Sequence, residues 1–290
     1  MEFVIENSTI KVTVKSKGAE LSSYFNKELG LEYVWQADPQ FWGKHAPLLF
    51  PVIGKVYNDH ITVEDTKYPM VKHGFARDLD FELQEHGSNF LTLALCATAQ
   101  TKISFPFDFE FLVKYTLQGN VLKTAFEVQN TGETQMCFSI GGHPAFNCPI
   151  QKDDELKNCF ISFSEEEHDD KVLIDANGFR NGIVTKDYLK GNKINLFNDI
   201  FKDDALVFLN LKSKALSIQS TSNSFRLNFS HEGFPHFGIW APVGAPFVCL
   251  EPWHGMADSA GFTGEFKHKD GVVALGHKQI YRCSYSIEGC

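Results

Sequence analysis

Hydrophobic and polar residues alternate with period two in many short stretches of the chain. Every second residue is hydrophobic over residues 109–117, and the alternation resumes over residues 122–128 after Gly119-Asn120. Two such runs joined by a Gly-Asn pair predict a β-hairpin. Further strands are predicted at residues 10–14, 91–95, 216–218 and 225–229, and the last two predict a second hairpin through Ser222-Asn223.

Helical patterning is sparse by comparison. Asp38-Pro39 has the form of an N-cap followed by proline at the first helical position, which predicts one short helix through Trp42. Strand-like runs and turn residues otherwise recur along the whole chain without a linker, and the 27 phenylalanines suit a sheet-on-sheet core. The sequence therefore predicts an all-β, antiparallel fold with few short helices, organised as a single domain over residues 1–290.

Composition and charge narrow the choice of partners. The 290 residues are 43% hydrophobic and 22% charged, which is typical of a globular protein, and 36 acidic against 27 basic residues give a net charge of −9. An acidic chain lacks the general attraction to nucleic acid or anionic lipid that basic surfaces provide. No stretch has the 18 apolar residues of a membrane helix. We expect neither a nucleic-acid nor a membrane partner.

The cysteines and the first residues bear on the compartment. The seven cysteines are odd in number and scattered, and no pair has CxxC spacing. The chain begins with acidic residues where a signal peptide would carry Lys or Arg. Both features favour a reduced, cytoplasmic protein. An exposed sheet edge would also be compatible with a homodimer.

Three polar segments contain the chemistry that the strands lack. They are KHGFAR at 72–77, GGHPAFN at 141–147 and CLEPWHG at 249–255, and each places a titratable side chain beside Gly or Pro and an aromatic residue. Aromatic side chains next to an imidazole or carboxylate suit a sugar, whose apolar ring faces stack on aromatic rings. We therefore predict that Trp253, Phe146 and Phe75 form the wall of such a site.

A purely structural interpretation of these residues is also open. His73 and His143 would then be hydrogen-bonding turn residues, and Arg77 would pair with a neighbouring aspartate on the surface. Glu251 follows an apolar strand, where a carboxylate is costly unless it has a partner. The sequence contains no GxGxxG, GxxxxGK[ST], GxSxG or HExxH motif, and its histidines lack convincing metal-ligand spacing. We expect no metal and no cofactor.

Taken together and in order, these segments resemble the aldose 1-epimerase (galactose mutarotase-like) family, most closely its bacterial branch. The resemblance rests on PLLFPVIGK at 47–55, HGFAR at 73–77, GHPAFN at 142–147 and CLEPW at 249–253, and it spans about residues 1–285. It implies a large antiparallel β-supersandwich whose concave face holds a sugar ring without a cofactor. It further implies an isomerase that interconverts α and β anomers of a hexose.

The resemblance also implies roles for individual residues. The family's general acid falls on His143 and its general base on Glu251, while His73, Arg77 and an aspartate contact the substrate. Asp204 is the expected aspartate, with Asp203 and Asp199 as alternatives. Relatives often carry arginine near Gly54, where this chain has Lys55, which offers a point charge instead of a bidentate fork.

Two other functions fit the same residues. One is epimerisation of a hexose 6-phosphate, with Lys55, Lys72 and Arg77 neutralising the phosphate. The other is a sugar-binding or regulatory protein without catalytic activity. The presence of both His143 and Glu251 speaks against the second alternative, because binding alone requires no acid/base pair.

Overall fold

The chain is built almost entirely from antiparallel strands in the computed structural model, which describes residues 1–185 and 187–290. In chain order the strands are β1 (Glu2–Glu6), β2 (Ile10–Lys15), β3 (Leu21–Asn26), β4 (Leu31–Glu32), β5 (Leu48–Leu49), β6 (His60–Val63), β7 (Thr66–Pro69), β8 (Glu82–His86), β9 (Phe90–Cys96), β10 (Phe109–Gln118), β11 (Val121–Asn130), β12 (Met136–Phe138), β13 (Ile140–Gly142), β14 (Ala145–Asn147), β15 (Cys159–Phe163), β16 (Asp170–Ile174), β17 (Arg180–Thr185), β18 (Leu189–Lys190), β19 (Lys193–Asn195), β20 (Leu206–Phe208), β21 (Ala215–Ser220), β22 (Arg226–Glu232), β23 (His236–Trp240), β24 (Phe247–His254), β25 (Val273–Leu275) and β26 (Ile280–Gly289).

Helical structure in the described residues is short. It consists of the α-helix α1 (Ala99–Lys102) and of 3-10 turns at Tyr57–Asp59, Ala76–Asp78, Leu156–Asn158 and Phe266–His268. None of these segments is long and apolar enough to cross a membrane. The predicted all-β class with few short helices is therefore confirmed.

Two large sheets dominate the topology. One has ten strands in the order β18-β19-β15-β21-β22-β26-β11-β10-β9-β8, and the other has eight in the order β17-β16-β20-β23-β24-β13-β5 with β14 also paired to β24. A four-stranded sheet (β1 to β4) and two two-stranded sheets complete the set. Both predicted hairpins are confirmed: β10 pairs with β11 and β21 with β22, antiparallel in each case.

The predicted helix through Trp42 is wrong. Asp38 does cap a turn, since its Oδ1 accepts the Gln40 N–H at 2.9 Å and its carbonyl accepts the Trp42 N–H at 2.9 Å. The chain then leaves the helical path, and Glu20 accepts the His45 N–H at 2.8 Å. The capping signal thus produced one turn, because tertiary hydrogen bonds hold the residues that follow.

The two large sheets pack face to face through aromatic rings. Phe229 on β22 stacks on Tyr285 on β26 within the ten-stranded sheet, with ring centroids 5.3 Å apart. The same ring meets Phe146 and Phe237 of the eight-stranded sheet edge-on, at 6.1 and 5.7 Å. All four side chains are buried. Sheet-on-sheet packing of this kind leaves the other face of the eight-stranded sheet available for a site.

The eight-stranded sheet curves until the segments at its two edges meet. Lys55 follows β5 at one edge, and its Nζ lies 5.1 Å from the ring centroid of Phe179, which precedes β17 at the other edge. The Lys55 carbonyl accepts the Asp258 N–H at 2.9 Å, and the Asp258 carbonyl accepts the Arg180 N–H at 2.8 Å. These contacts close one side of a concave surface.

Candidate active site

A cavity of about 230 Å³ occupies this concave surface. A concave, partly enclosed cavity of this size suits one small ligand better than a polymer. Seven titratable or cationic side chains line it: Lys72, His73, Arg77, His143, Arg180, Asp204 and Glu251. Three tryptophans add flat apolar walls: Trp42, Trp240 and Trp253.

Six of the seven predicted site residues line this cavity together, namely His73, Arg77, His143, Asp204, Glu251 and Trp253. Lys55 is not among the lining residues, because its ammonium lies over the Phe179 ring instead. Of the three candidate aspartates, Asp204 lines the cavity, whereas Asp203 and Asp199 do not. Asp204 adopts a left-handed φ of 81° and accepts the Ala205 N–H on its own Oδ1 at 2.6 Å.

A gap in the sheet brings His143 and Glu251 together. β14 pairs with β24 at its start and β13 pairs with it at its end, so the ladder on this side is interrupted at residues 250–252. His143 lies in the connection between β13 and β14 and therefore opposite Glu251. Its Nε2 is 3.3 Å from Glu251 Oε2. Each of the two residues precedes a proline, which restricts it to extended backbone conformations.

Burial governs the protonation of this pair. His143 is 7% exposed and Glu251 is 1% exposed. Burial raises the pKa of the Glu251 carboxyl well above its usual range, an effect that Asp204 reinforces and Lys72 opposes. Burial also lowers the pKa of His143 to about 3. Both shifts favour a protonated carboxyl and a neutral imidazole.

Hydrogen bonds fix the tautomer of His73. The ring Nδ1 of His73 accepts the Gly54 N–H at 3.2 Å, and the backbone N–H of His73 donates to the Gly54 carbonyl at 2.9 Å. Burial, followed by repulsion from a protonated His143, lowers the pKa of His73 well below its usual value. The neutral ring thus carries its hydrogen on Nε2, which makes it a donor on a residue that lines the cavity.

The aromatic wall differs from the predicted one. Trp42 stacks on the His143 ring with centroids 4.9 Å apart, and Trp240 meets that ring edge-on at 5.8 Å. Phe75 and Phe146 were predicted to line the site but do not. Both rings pack into the hydrophobic core, since apolar side chains at these positions face the interior between the sheets.

Three site residues lack an unambiguous sequence signal: Trp42, Trp240 and Arg180. The rarity of tryptophan was the available clue, because three of the four tryptophans in the chain line the cavity. Arg180 belongs to a polar strand without hydrophobic alternation and stands far from every motif. Only the fold places it beside the others.

Unpartnered polar atoms occur on residues that line the cavity. Arg77 Nε and His143 Nδ1 are buried without a hydrogen-bond partner in the described residues. Such atoms are costly in a folded protein unless a ligand or water completes them. For a metal ion, the available ligand set is His143, Cys249 and Glu251, whose ligand atoms lie within 4.8 Å of one another.

The sequence model of the aldose 1-epimerase family matches residues 1–268. The chain belongs to the aldose 1-epimerase family. Members of this family act on sugars, in agreement with the tryptophan-lined cavity.

Individual relatives agree over the full length. Protein LacX of Lactococcus lactis is 32% identical over 299 residues, covering 99% of each chain. A galactose mutarotase related enzyme from Lactobacillus acidophilus superposes with a TM-score of 0.93 at 32% identity, covering 100% of this chain and 97% of that one. A galactose mutarotase-like protein from Lactobacillus casei gives 0.94 at 31%, covering 100% of both. The predicted galactose mutarotase-like supersandwich is thereby confirmed.

The position of Trp253 depends on a glycine on the adjacent strand. A Cβ added at Gly238 would lie 2.7 Å from the Trp253 ring, closer than real contacts allow. We expect Gly238→Ala to displace this ring, to lower the free energy of unfolding by about 1–3 kcal/mol, and to change the tryptophan fluorescence.

Gly43→Ala is the matched control, because a Cβ there meets no atom within 4 Å. Chemical denaturation and emission spectra of both variants measure the effect. Equal stability and spectra for the two variants would show that Gly238 does not set the position of Trp253.

Proposed function

We propose that this protein is an aldose 1-epimerase (mutarotase) that interconverts the α and β anomers of a hexose without a cofactor. The observation that carries the proposal is the contact of 3.3 Å between His143 Nε2 and Glu251 Oε2 in a tryptophan-lined cavity. Opening a cyclic hemiacetal requires one proton to leave the C1 hydroxyl and another to reach the ring oxygen. Two side chains, one acting as an acid and the other as a base, supply these two proton transfers.

In the proposed cycle, ionised Glu251 takes the proton of the C1 hydroxyl while protonated His143 gives a proton to the ring oxygen, and the C1–O5 bond breaks. Rotation about C1–C2 then turns the other face of the aldehyde toward the C5 hydroxyl. Reversal of both proton transfers closes the ring as the opposite anomer. The pair ends with the single proton with which it began.

The protonation that burial favours corresponds to the ring-opened stage of this cycle. Burial there favours protonated Glu251 and neutral His143. Reaching the ring-opening state requires one proton to move from Oε2 to Nε2 across the 3.3 Å contact. Two neighbours favour that transfer: Lys72 stabilises the carboxylate, and the face of Trp42 stacked on His143 attracts an imidazolium.

Three of the remaining predicted residues contact the sugar in this proposal. His73 donates from Nε2, Asp204 accepts from hydroxyls, and the ring of Trp253 packs against an apolar face of the sugar. Arg77 anchors the segment that carries His73, because its Nη2 donates to the Lys72 carbonyl at 2.8 Å. Each of these contacts replaces one that the sugar makes with water before it binds.

Removal of either member of the pair is expected to lower anomer exchange by about 10²–10⁴-fold. His143→Asn removes the group that protonates the ring oxygen, and Glu251→Gln removes the carboxylate that accepts the hydroxyl proton. Polarimetry of freshly dissolved glucose and galactose measures the rate.

Matched controls lie outside the cavity. His231 is buried and bonded to the Ser213 carbonyl, and Glu167 is buried and accepts the Ser213 N–H. His231→Asn and Glu167→Gln should retain anomer exchange. A wild-type rate in His143→Asn or Glu251→Gln would refute the assignment.

The pH dependence follows from the one-proton requirement. A second proton enters the pair only near the His143 pKa of about 3. The pair loses its proton as the pH rises through the raised pKa of Glu251, and no acid is then left. We expect kcat/KM to stay level on the acidic side while the fold persists, and to fall on the alkaline side. A profile that falls first on the acidic side, near the usual pKa of histidine, would contradict this protonation scheme.

A second candidate is epimerisation of a hexose 6-phosphate. Lys72 lines the cavity and is exposed, and its ammonium has no hydrogen-bond or ion-pair partner within residues 1–185 and 187–290. Arg77 Nε is buried nearby without a hydrogen bond, although it lies 3.6 Å from Asp78 Oδ2 and so forms the ion pair that the structural interpretation of the sequence predicted. A phosphate dianion is the kind of group that two such cations bind.

Rates on glucose, galactose and their 6-phosphates separate the two candidates. If the phosphate is recognised, Lys72→Gln should raise KM for the 6-phosphate by about tenfold and leave KM for the free hexose unchanged. Equal KM values for the variant and the wild type on both sugars would remove the second candidate. Saturable sugar binding without anomer exchange would instead indicate a binding protein.

A further inference from the structure

Arg180 lines the cavity but has no role in the reaction described above. It is the first residue of β17, at the edge of the eight-stranded sheet, and its side chain is 17% exposed. A guanidinium that is mostly withdrawn from water needs several partners to offset its lost hydration. Its contacts therefore indicate what the side chain is held to do.

Two protein contacts fix the guanidinium and leave part of it free. Its Nε donates to the Ala257 carbonyl at 2.8 Å, and its Nη2 donates to Asp270 Oδ2 at 2.7 Å. The Nη1 amino group has no hydrogen-bond partner among the residues that the structure describes. These two contacts thus orient the planar guanidinium and leave the Nη1 donors available for a ligand in the cavity.

The surroundings of Arg180 are rigidly built. Its N–H donates to the Asp258 carbonyl at 2.8 Å. Asp258 in turn forms a buried ion pair with Lys269 and accepts the Tyr57 N–H at 2.8 Å. A buried pair with further hydrogen bonds holds the segment that includes Ala257 in one arrangement, so the guanidinium has little freedom to turn away from the cavity.

Position 55, where the sequence suggested a binding cation, does not serve this purpose. The Lys55 ammonium is directed over the ring of Phe179, the residue just before Arg180. The cationic donor on this side of the cavity is therefore Arg180. Its fork can keep both protein contacts and still donate to a ligand oxygen, which a lysine cannot do.

We propose that Arg180 is a substrate-binding residue that donates from its free amino group to a sugar oxygen remote from the anomeric carbon, and that Asp270 positions it. The inference rests on the proposed function for the identity of the ligand. Three strands separate β17 from β24, which carries Glu251. At about 4.8 Å per strand, the two side chains approach the ligand from different sides.

A contact remote from the reacting atoms contributes equally to the ground state and the transition state. We therefore expect Arg180→Gln to raise KM by at least about tenfold while kcat stays within about twofold. Arg180→Lys should raise KM as well, because one ammonium cannot replace the fork. Asp270→Asn, which weakens the positioning contact, should raise KM less than Arg180→Gln. Saturation kinetics by NMR anomer exchange measures all three.

Arg282→Gln is the matched control, since Arg282 pairs with Glu127 at 2.9 Å outside the cavity. Thermal unfolding establishes whether each variant is folded. If Arg180→Gln does not fold, the KM values of Arg180→Lys and Asp270→Asn test the proposal instead. A KM for folded Arg180→Gln within twofold of wild type, or an equal rise in Arg282→Gln, would overturn the proposal. A fall in kcat without a rise in KM for Arg180→Gln would also overturn the proposal.

A sugar-binding titration monitored by tryptophan fluorescence distinguishes failure of this proposal from failure of the proposed function. If the wild type binds hexose without anomer exchange, the proposed catalytic function fails. Weaker binding by Arg180→Gln then still supports the role of Arg180, and equal binding refutes it. If the wild type neither exchanges nor binds any hexose or hexose 6-phosphate tested, both proposals fail.

Discussion

The site depends on one buried contact between a carboxyl and an imidazole. Withdrawn from water, Glu251 holds its proton more tightly than a surface carboxyl and His143 holds its proton less tightly than a surface histidine. Their opposite shifts leave one proton to be shared between two atoms 3.3 Å apart. The Trp42 ring stacked on His143 and the neighbouring Lys72 cation both influence where that proton resides.

The sheet supplies the geometry that makes the contact and the cavity coexist. An uninterrupted ladder beside β24 would fill the place that His143 occupies, whereas the change of partner from β14 to β13 leaves room for it. Curvature then brings the opposite edge of the sheet to the same cavity, with Lys55 packed over Phe179 at the closure. At this closure Lys55 and Phe179 contribute a packing contact. Arg180, the residue after Phe179, contributes a free donor to the cavity.

Local pattern predicted strands such as β2, β10 and β11 well because each of these strands buries one face. The alternation over residues 109–117 reported β10 directly, and the capping signal at Asp38 reported a real turn, but not its length. The ordered motifs also singled out His143 and Glu251, whose side chains lie 3.3 Å apart in the structure. The position of Lys55 outside the cavity and of Arg180 within it could not be predicted from the sequence, because both depend on how two sheet edges meet. Phe75 and Phe146 were misassigned for a similar reason, since an aromatic beside a motif serves the core as readily as a site.

The prolines that follow His143 and Glu251 have an effect outside the native state. A residue before proline is excluded from helical backbone even in the unfolded chain, and proline itself has few conformations to lose. The range of backbone conformations in the unfolded chain is consequently narrowed at positions 143 and 251. Ordering of the two residues during folding then costs less conformational entropy than it would in an unrestricted chain, so preorganisation of the site begins in the covalent structure.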